Sequence, residues 1–469
     1  MISASDYGSV IAGEQRVGGW ERWTAGSRAA DAALVAAVVI AGSVSRHAVY
    51  TGSGVVILVG CVAVLTVAVW RGIGGAGPRA CPSRAGVLVA LAGAAFAQVI
   101  KPPYMNVAAG TWLLRAGVLV CLGTTALAAT LLLAGVSAVP RRRLAVSALG
   151  LAGTAAAYLL VVRGSTRPLI DVWAILQGAS LGVVHGQNPY DMVFADVPAG
   201  QVDDAFNYLP ATFLAPVPAR LLLGDVRYAE ATVLAAGAAA LLWLALRSAR
   251  WSRAASSAAH PAASWVATPV APALALLFGV LPGALYEVQQ AWNETILAGA
   301  LVAAVALLAA RRTGWAVLCL AVALATKQHV VLLLPLWACW PAFGWRRAAA
   351  AAAGAAAITL PWALLDPDRF RYGVLDFFLD LPARPDSLSV WHLLPGPLRT
   401  VTLLALTVGA YALVLRRTPR TPAGLLVGSG LVLAAFGLAN KQSFLNQWAL
   451  AAQLLVAGLA LASIDDRRN

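Results

Sequence analysis

The residues with the most capacity for chemistry lie in one polar stretch between apolar runs. From Arg163 to Gly224 the chain reads RGSTRPLIDVWAILQGASLGVVHGQNPYDMVFADVPAGQVDDAFNYLPATFLAPVPARLLLG, with five aspartates, Asp171, Asp191, Asp196, Asp203 and Asp204, while the flanking segments are almost free of acid. A carboxylate of ordinary pKa, about 3.9, is ionised at neutral pH and can take a proton from a hydroxyl within about 3 Å. Asp171 also heads an apolar-periodic segment, where a carboxylate satisfies free N–H groups, so base and helix cap are both open to it. The other four aspartates read as solvated loop surface. Lone cations at the ends of later apolar runs, Lys327 and Lys441, can hold an anionic group or snorkel to the headgroups; Arg167, Arg384 and His392 are weaker candidates.

Several polar side chains have the donors and acceptors to bind sugar hydroxyls: Gln187, Asn188, Tyr190, Tyr208, Glu287, Asn293 and Gln328. N-P-Y-D at 188–191 is equally a turn sequence, and Glu287 and Asn293 equally helix caps. Trp173 and Trp391 can stack on a sugar or anchor in the interface. The five cysteines, Cys61, Cys81, Cys121, Cys319 and Cys339, show no metal or redox spacing, and Asp191, Asp196, Asp203 and Asp204 do not form a D-x-D motif, so neither metal nor cofactor is expected.

The elements that position these groups are membrane helices. The 469-residue chain is 60% hydrophobic and only 12% charged, against about a quarter charged in soluble domains, and its mean hydropathy is +0.77. Apolar runs of about 17–25 residues match the thickness of a bilayer. The net charge of +14 would suggest nucleic acid in a soluble chain; here the arginines cluster between apolar runs, so nucleic acid is not a partner and the charge reports topology.

Runs at 30–48, 53–70, 85–101, 112–137 and 144–163 put Arg71, Arg79 and Arg84, then Arg141, Arg142 and Arg143, in the cytoplasm, and the Asp171 loop outside. Residues 1–29 read as a cytoplasmic tail without a cleaved signal. Tyr208 to Gly224 is apolar, but counting it as a span would place Arg247, Arg250 and Arg253 outside, and Pro210, Pro216 and Pro218 break a helix. It is therefore assigned to the external loop. Further runs at 227–247, 266–284, 291–310, 313–326, 329–344, 347–365, 398–415, 422–439 and 444–463 keep Arg311, Arg312, Arg346, Arg347, Arg416, Arg417, Arg420, Arg467 and Arg468 inside. The expectation is an all-α polytopic membrane protein of about fourteen spans, the shortest in locally thinned or protein-packed surroundings. It divides into the tail, a four-helix prefix at 30–143, and a core at 144–469 with external loops 164–226 and 366–397.

The same count puts Glu287, Gln289, Gln290, Asn293 and Glu294 on the outer side, with Lys327, Gln328 and His329, and with Asn440, Lys441, Gln442 and Asn446. Ionisable groups at membrane depth are costly and mark functional sites, so these clusters are expected to converge on one outward cavity. Residues 170–184 suit an interfacial helix whose apolar face is Leu169, Val172, Trp173, Leu176 and Val183. A second stripe, Asp171, Ala174, Gly178, Leu181 and His185, carries mostly small residues and is expected to leave room for a ligand.

The pattern D-V-W-x(5)-A-x(5)-H-G-Q-N-P-Y-D from Asp171 to Asp191, followed by F-N-Y-L-P at 206–210, resembles the first external loop of GT-C membrane glycosyltransferases. It is most similar to the actinobacterial polyprenyl-phosphate-mannose-dependent mannosyltransferases and arabinosyltransferases of the DUF2029 group; A-T-K-Q at 325–328 is similar as well. The resemblance covers about 165–350. It implies a GT-C-like bundle, a polyprenyl-phosphate sugar donor, a glycolipid or glycan acceptor, and Asp171 as catalytic base. In that group the aspartate usually follows the first span; here it follows the fifth, so the prefix is additional. Transfer from a lipid phosphate needs a base and a cationic hold on the phosphate, but no general acid. Lys327, Lys441, Arg384 and His392 then become donor-phosphate candidates, and the seven polar residues above sugar-contact candidates. The expected activity is inverting sugar transfer, mannose first, on the outer face of a bacterial plasma membrane. A polysaccharide polymerase or ligase and a secondary transporter are the alternatives; the latter should show inverted repeats, and only A-T-K-Q at 325–328 and A-N-K-Q at 439–442 are locally alike.

Overall fold

The computed structural model of the protein describes residues 28–46, 50–74, 81–103, 105, 111–135, 139–168, 170–198, 204–256 and 270–465. The tail up to residue 27, Arg79, Leu169, Asp203, Arg467 and Arg468 lie outside the described residues. Those described form helices and connecting turns, with no strand among them. The five helices ahead of the first polar loop are α1 (Arg28–Arg46), α2 (Gly52–Trp70), α3 (Arg84–Ile100), α4 (Thr111–Leu133) and α5 (Pro140–Gly164). Their starts follow ordinary capping chemistry. Thr51 Oγ1 accepts from Gly54 N–H at 3.0 Å, Ser83 Oγ accepts from Gly86 N–H at 2.9 Å, and Pro140 occupies the first turn of α5, where its missing N–H has no helical partner to lose.

The first loop contains α6 (Asp171–Val184) and two short helices, α7 (Ala211–Leu214) and α8 (Val217–Leu223). Leu221, Leu222 and Leu223 of α8 are exposed, as suits an interfacial element. The core continues with α9 (Arg227–Ser256), α10 (Val270–Gly279), α11 (Ala284–Gln290), α12 (Glu294–Ala309) and α13 (Thr313–Leu324). A 3-10 turn at Gln328–Leu333 leads into α14 (Leu334–Ala338) and α15 (Trp345–Leu365). The second loop holds α16 (Pro367–Arg371), a π-turn at Tyr372–Asp376 and α17 (Phe377–Asp380), before α18 (Gly396–Arg417), α19 (Pro422–Ala439) and α20 (Leu445–Asp465).

Among the described residues, ten helical segments are long and apolar enough to cross a membrane. The other four expected spans are helical but shorter: α3 has 17 residues, α12 has 16, α13 has 12, and 328–338 is a six-residue 3-10 turn followed by the five residues of α14. Burial orders the bundle. The segment Val270–Gln290 is 94% buried and α19 and α20 are each 89% buried, so these form the centre, whereas α15 at 17% and α18 at 11% lie on its rim. The first helix packs directly on the last, since α1 contacts α20, α2 and α3; prefix and core thus share one apolar interior.

Close crossings rest on glycine. A Cβ added at Gly299 of α12 would lie 2.4 Å from the backbone oxygen of Val233 in α9, and one at Gly430 of α19 would lie 2.9 Å from that of Ala451 in α20. Small residues permit this approach where no hydrophobic driving force separates helix from lipid. Gly299→Val is therefore expected to lower the thermal midpoint in detergent, at a cost of about 1–3 kcal/mol. The control Gly60→Val, on the open face of α2 with nothing nearby, should leave that midpoint unchanged.

Candidate active site

The two segments that carry the resemblance meet. The tip between α13 and the 3-10 turn, A-T-K-Q at 325–328, receives F-N-Y-L-P as though adding a strand: Leu209 N–H donates to the Thr326 carbonyl at 3.2 Å, and Ala211 N–H to the Ala325 carbonyl at 2.9 Å. Thr212 Oγ1 donates to Thr326 O at 3.1 Å. The Gln328 amide donates to the Asn207 carbonyl at 3.1 Å and the Val374 carbonyl at 3.0 Å, so one side chain holds both polar loops. Gly373 lets the second loop press on the first, since an added Cβ there would lie 2.3 Å from Phe206 O.

This junction positions Asp171. The residue opens α6, is partly buried, and its Oδ1 accepts its neighbour Val172 N–H at 2.8 Å. Burial raises its carboxyl pKa above the ordinary value; the Val172 N–H and the charges of Arg384 and Lys327 pull the other way without cancelling the rise. Tyr208 is 8% exposed, and its hydroxyl is pushed well above the usual phenol range by burial, then by the negative charges of Asp171 and Glu294. It remains a proton donor at any physiological pH. Lys327 Nζ stands 5.3 Å from the centre of the Tyr208 ring and is ion-paired to Glu294 Oε1 at 2.7 Å. Asp171, Tyr208, Lys327 and Glu294 thus act on one another's charge, although they come from four separate segments.

Beneath them lies a layer of buried polar groups. Glu287 Oε2 accepts from Gln453 Nε2 at 2.9 Å, both side chains being fully buried, and Asn446 stands beside Glu294. Glu287 Oε1, Gln453 Oε1, His329 Nε2 and both amide atoms of Asn293 have no hydrogen-bond partner among the described residues. Buried polar groups are almost always satisfied, so this layer calls for water or a hydroxylated ligand.

The remaining candidates have other engagements. Tyr190 is 3% exposed, its hydroxyl donates to Tyr208 O at 2.8 Å, and its ring packs edge-on against Phe206, Phe213 and Phe370. Asn188 caps the turn at Tyr190 N–H, 3.2 Å, and Gln187 is exposed beyond the end of α6. Lys441 Nζ donates to the carbonyls of Leu379 at 3.1 Å and Leu381 at 2.8 Å, which makes it a clamp on the second loop. Arg384 pairs with Asp386 at 2.7 Å and its carbonyl meets His392 Nε2 at 2.5 Å. The clusters at 287–294, 327–329 and Asn446 do converge; Lys441 and His392 stand apart from them, around the second loop.

One expectation is corrected. The small-residue stripe of α6 does not leave room for a ligand, because Phe194 packs over Gly178, where an added Cβ would lie 2.9 Å from its ring, and Met192 fills the space over Gly182. The buried face of α6 is Val172, Ile175, Leu176 and Ala179, set against Phe206 and Phe213; Trp173 and Val183 are only partly covered. Sequence reasoning passed over Gln453. A lone amide inside an otherwise apolar span was the available signal.

Compared with known proteins, the chain matches no family model, no curated protein and no solved structure. The ion pair supplies a test of the geometry. Lys327→Met leaves Glu294 charged and fully buried, and is expected to destabilise by about 3–5 kcal/mol in thermal or denaturant unfolding. Combining it with Glu294→Gln should restore most of that loss, because no uncompensated charge remains.

Proposed function

We propose that this chain is an integral-membrane inverting glycosyltransferase. It moves a sugar, mannose first, from a polyprenyl-phosphate donor to an envelope glycolipid or glycan on the extracytoplasmic face of a bacterial plasma membrane. With the four shorter helices counted, its bundle has about fourteen spans of GT-C type. The observation that carries the reading is the meeting of Asp171, Tyr208 and Lys327 where F-N-Y-L-P joins A-T-K-Q, above a layer of unsatisfied polar groups.

In this reading Asp171 accepts the proton of the acceptor hydroxyl as that oxygen attacks the anomeric carbon. The bond from this carbon to the phosphate oxygen breaks on the opposite face, and the phosphate departs with the electron pair. An ammonium has three N–H donors; Lys327 spends one on Glu294 and turns the rest toward the leaving group, with Arg384 as a second cation. Tyr208, held protonated, donates to the donor or acceptor. Glu287, Asn293 and Gln453 meet sugar hydroxyls. Gln328, Tyr190 and Lys441 act at one remove, by fixing the loops.

The test is transfer of labelled sugar from polyprenyl-phosphate-mannose, and in parallel from the arabinose donor, to envelope glycolipid extract. Wild type is expected to give product, and Asp171→Asn to lose about a hundredfold or more. The folded-state pKa of Asp171 is raised, so its ionised form opposes folding at neutral pH. Asp171→Asn should therefore keep or raise the thermal midpoint while losing activity. Equal transfer by both proteins returns Asp171 to a helix cap.

A further inference from the structure

A crevice of about 350 Å³ lies far from the polar loops, between α1 and α2, at the end of the bundle that the arginine distribution assigns to the cytoplasm. Its body is apolar and shallow because alanines face one another: Ala32 of α1 and Ala63 of α2 line it with Val64 and Val67. Its mouth is cationic. Arg28 opens α1 and Arg71 follows the last turn of α2, so two helices of opposite direction bring one guanidinium each to the same rim. Both arginines are exposed.

Two further features fix the depth and the charge of this rim. Trp70 is 57% exposed beside Arg71, and the guanidinium of Arg417 from the end of α18 stacks 3.9 Å from the centre of its ring. A tryptophan with flanking arginines marks headgroup level. The acid nearest to Arg28 on α1 does not neutralise it, since both carboxylate oxygens of Asp31 point to α3: Oδ1 accepts from Ser83 N–H at 2.7 Å and Oδ2 from Ser83 Oγ at 2.8 Å. An apolar crevice at acyl depth, capped by guanidinium groups at headgroup depth, is complementary to one class of molecule.

We propose that this crevice is a binding site for an anionic phospholipid of the inner leaflet, with an acyl chain along Ala32, Ala63, Val64 and Val67 and the phosphate between Arg28 and Arg71. Guanidinium groups are suited to this role because they pair bidentately with phosphate oxygens, and basic pockets between helices on the cytoplasmic side hold such headgroups. The site is independent of the transfer reaction and lies in the additional prefix.

The experiment is native mass spectrometry of the purified full-length protein, titrated with phosphatidylglycerol and separately with phosphatidylcholine of the same chains. Wild type is expected to retain phosphatidylglycerol more tightly by roughly tenfold or more. Arg28→Ala with Arg71→Ala should bring it down to the phosphatidylcholine level, and Ala63→Leu, on an exposed position that fills the crevice without touching the core, should weaken both lipids. Equal retention of the two lipids by wild type, or undiminished phosphatidylglycerol binding by the double variant, overturns the proposal. A circular dichroism spectrum and thermal midpoint matching wild type show that each variant is folded.

Discussion

Everything at the Asp171 end of this bundle depends on one buried ion pair. Glu294 has no exposure and Lys327 only 12%, and their 2.7 Å contact is what permits a charge to sit there at all. The pair ties the start of α12 to the tip after α13. Once Lys327 is fixed, the tip's backbone is fixed, and the carbonyls of Ala325 and Thr326 become docking points for residues 209–212. The loop that carries Asp171 is thus registered against the membrane core through a hydrogen-bonded seam. Flexible loops place side chains loosely; this seam, together with the aromatic packing of Tyr190, Phe206 and Phe213, places Asp171 closely.

The second loop is secured by a similar device. Lys441 and Gln442 of A-N-K-Q donate to the carbonyls of Leu379, Leu381 and Pro382, much as Gln328 of A-T-K-Q holds those of Asn207 and Val374. In both cases the glutamine satisfies carbonyls of an adjoining loop; Lys441 does the same, whereas Lys327 pairs with Glu294. The local likeness of the two motifs has a physical cause in this shared task, and needs no duplication of the bundle to account for it. Arg384 and the second loop are thereby brought close enough for its charge to act on Asp171.

Much of the helical framework was legible because a bilayer imposes length and apolarity. The helix expected at 53–70 runs Gly52–Trp70, and that at 398–415 runs Gly396–Arg417. The short helices were harder, since a segment such as α13 is set by what packs around it and not by its own composition. Positive-inside reasoning kept 208–224 out of the long helices, and prolines open the short ones: Pro210 precedes α7 and Pro216 precedes α8, which ends at Gly224 in the left-handed conformation. Of the site, Asp171 and Lys327 were visible as polar groups in apolar surroundings. Their mutual placement was not, because it runs through backbone carbonyls of residues 325 and 326, which no side-chain pattern reveals. The stripe on α6 misled for a related reason: the small residue Gly178 read as room for a ligand, and the space over it is taken by Phe194 of the same loop.

The central claim is that a partly buried carboxylate at position 171 takes the proton, and the pH dependence of sugar transfer tests it most directly. A base works in its ionised form, so the rate must fall as pH drops through its pKa. Burial raises that pKa, and the Arg384 charge restrains it. The account predicts an acid limb above the ordinary aspartate value of about 3.9, and a further shift to higher pH in Arg384→Met, where the restraint is gone. An acid limb that stays in place when Arg384 is removed, or a rate independent of pH on that side, contradicts Asp171 as the base.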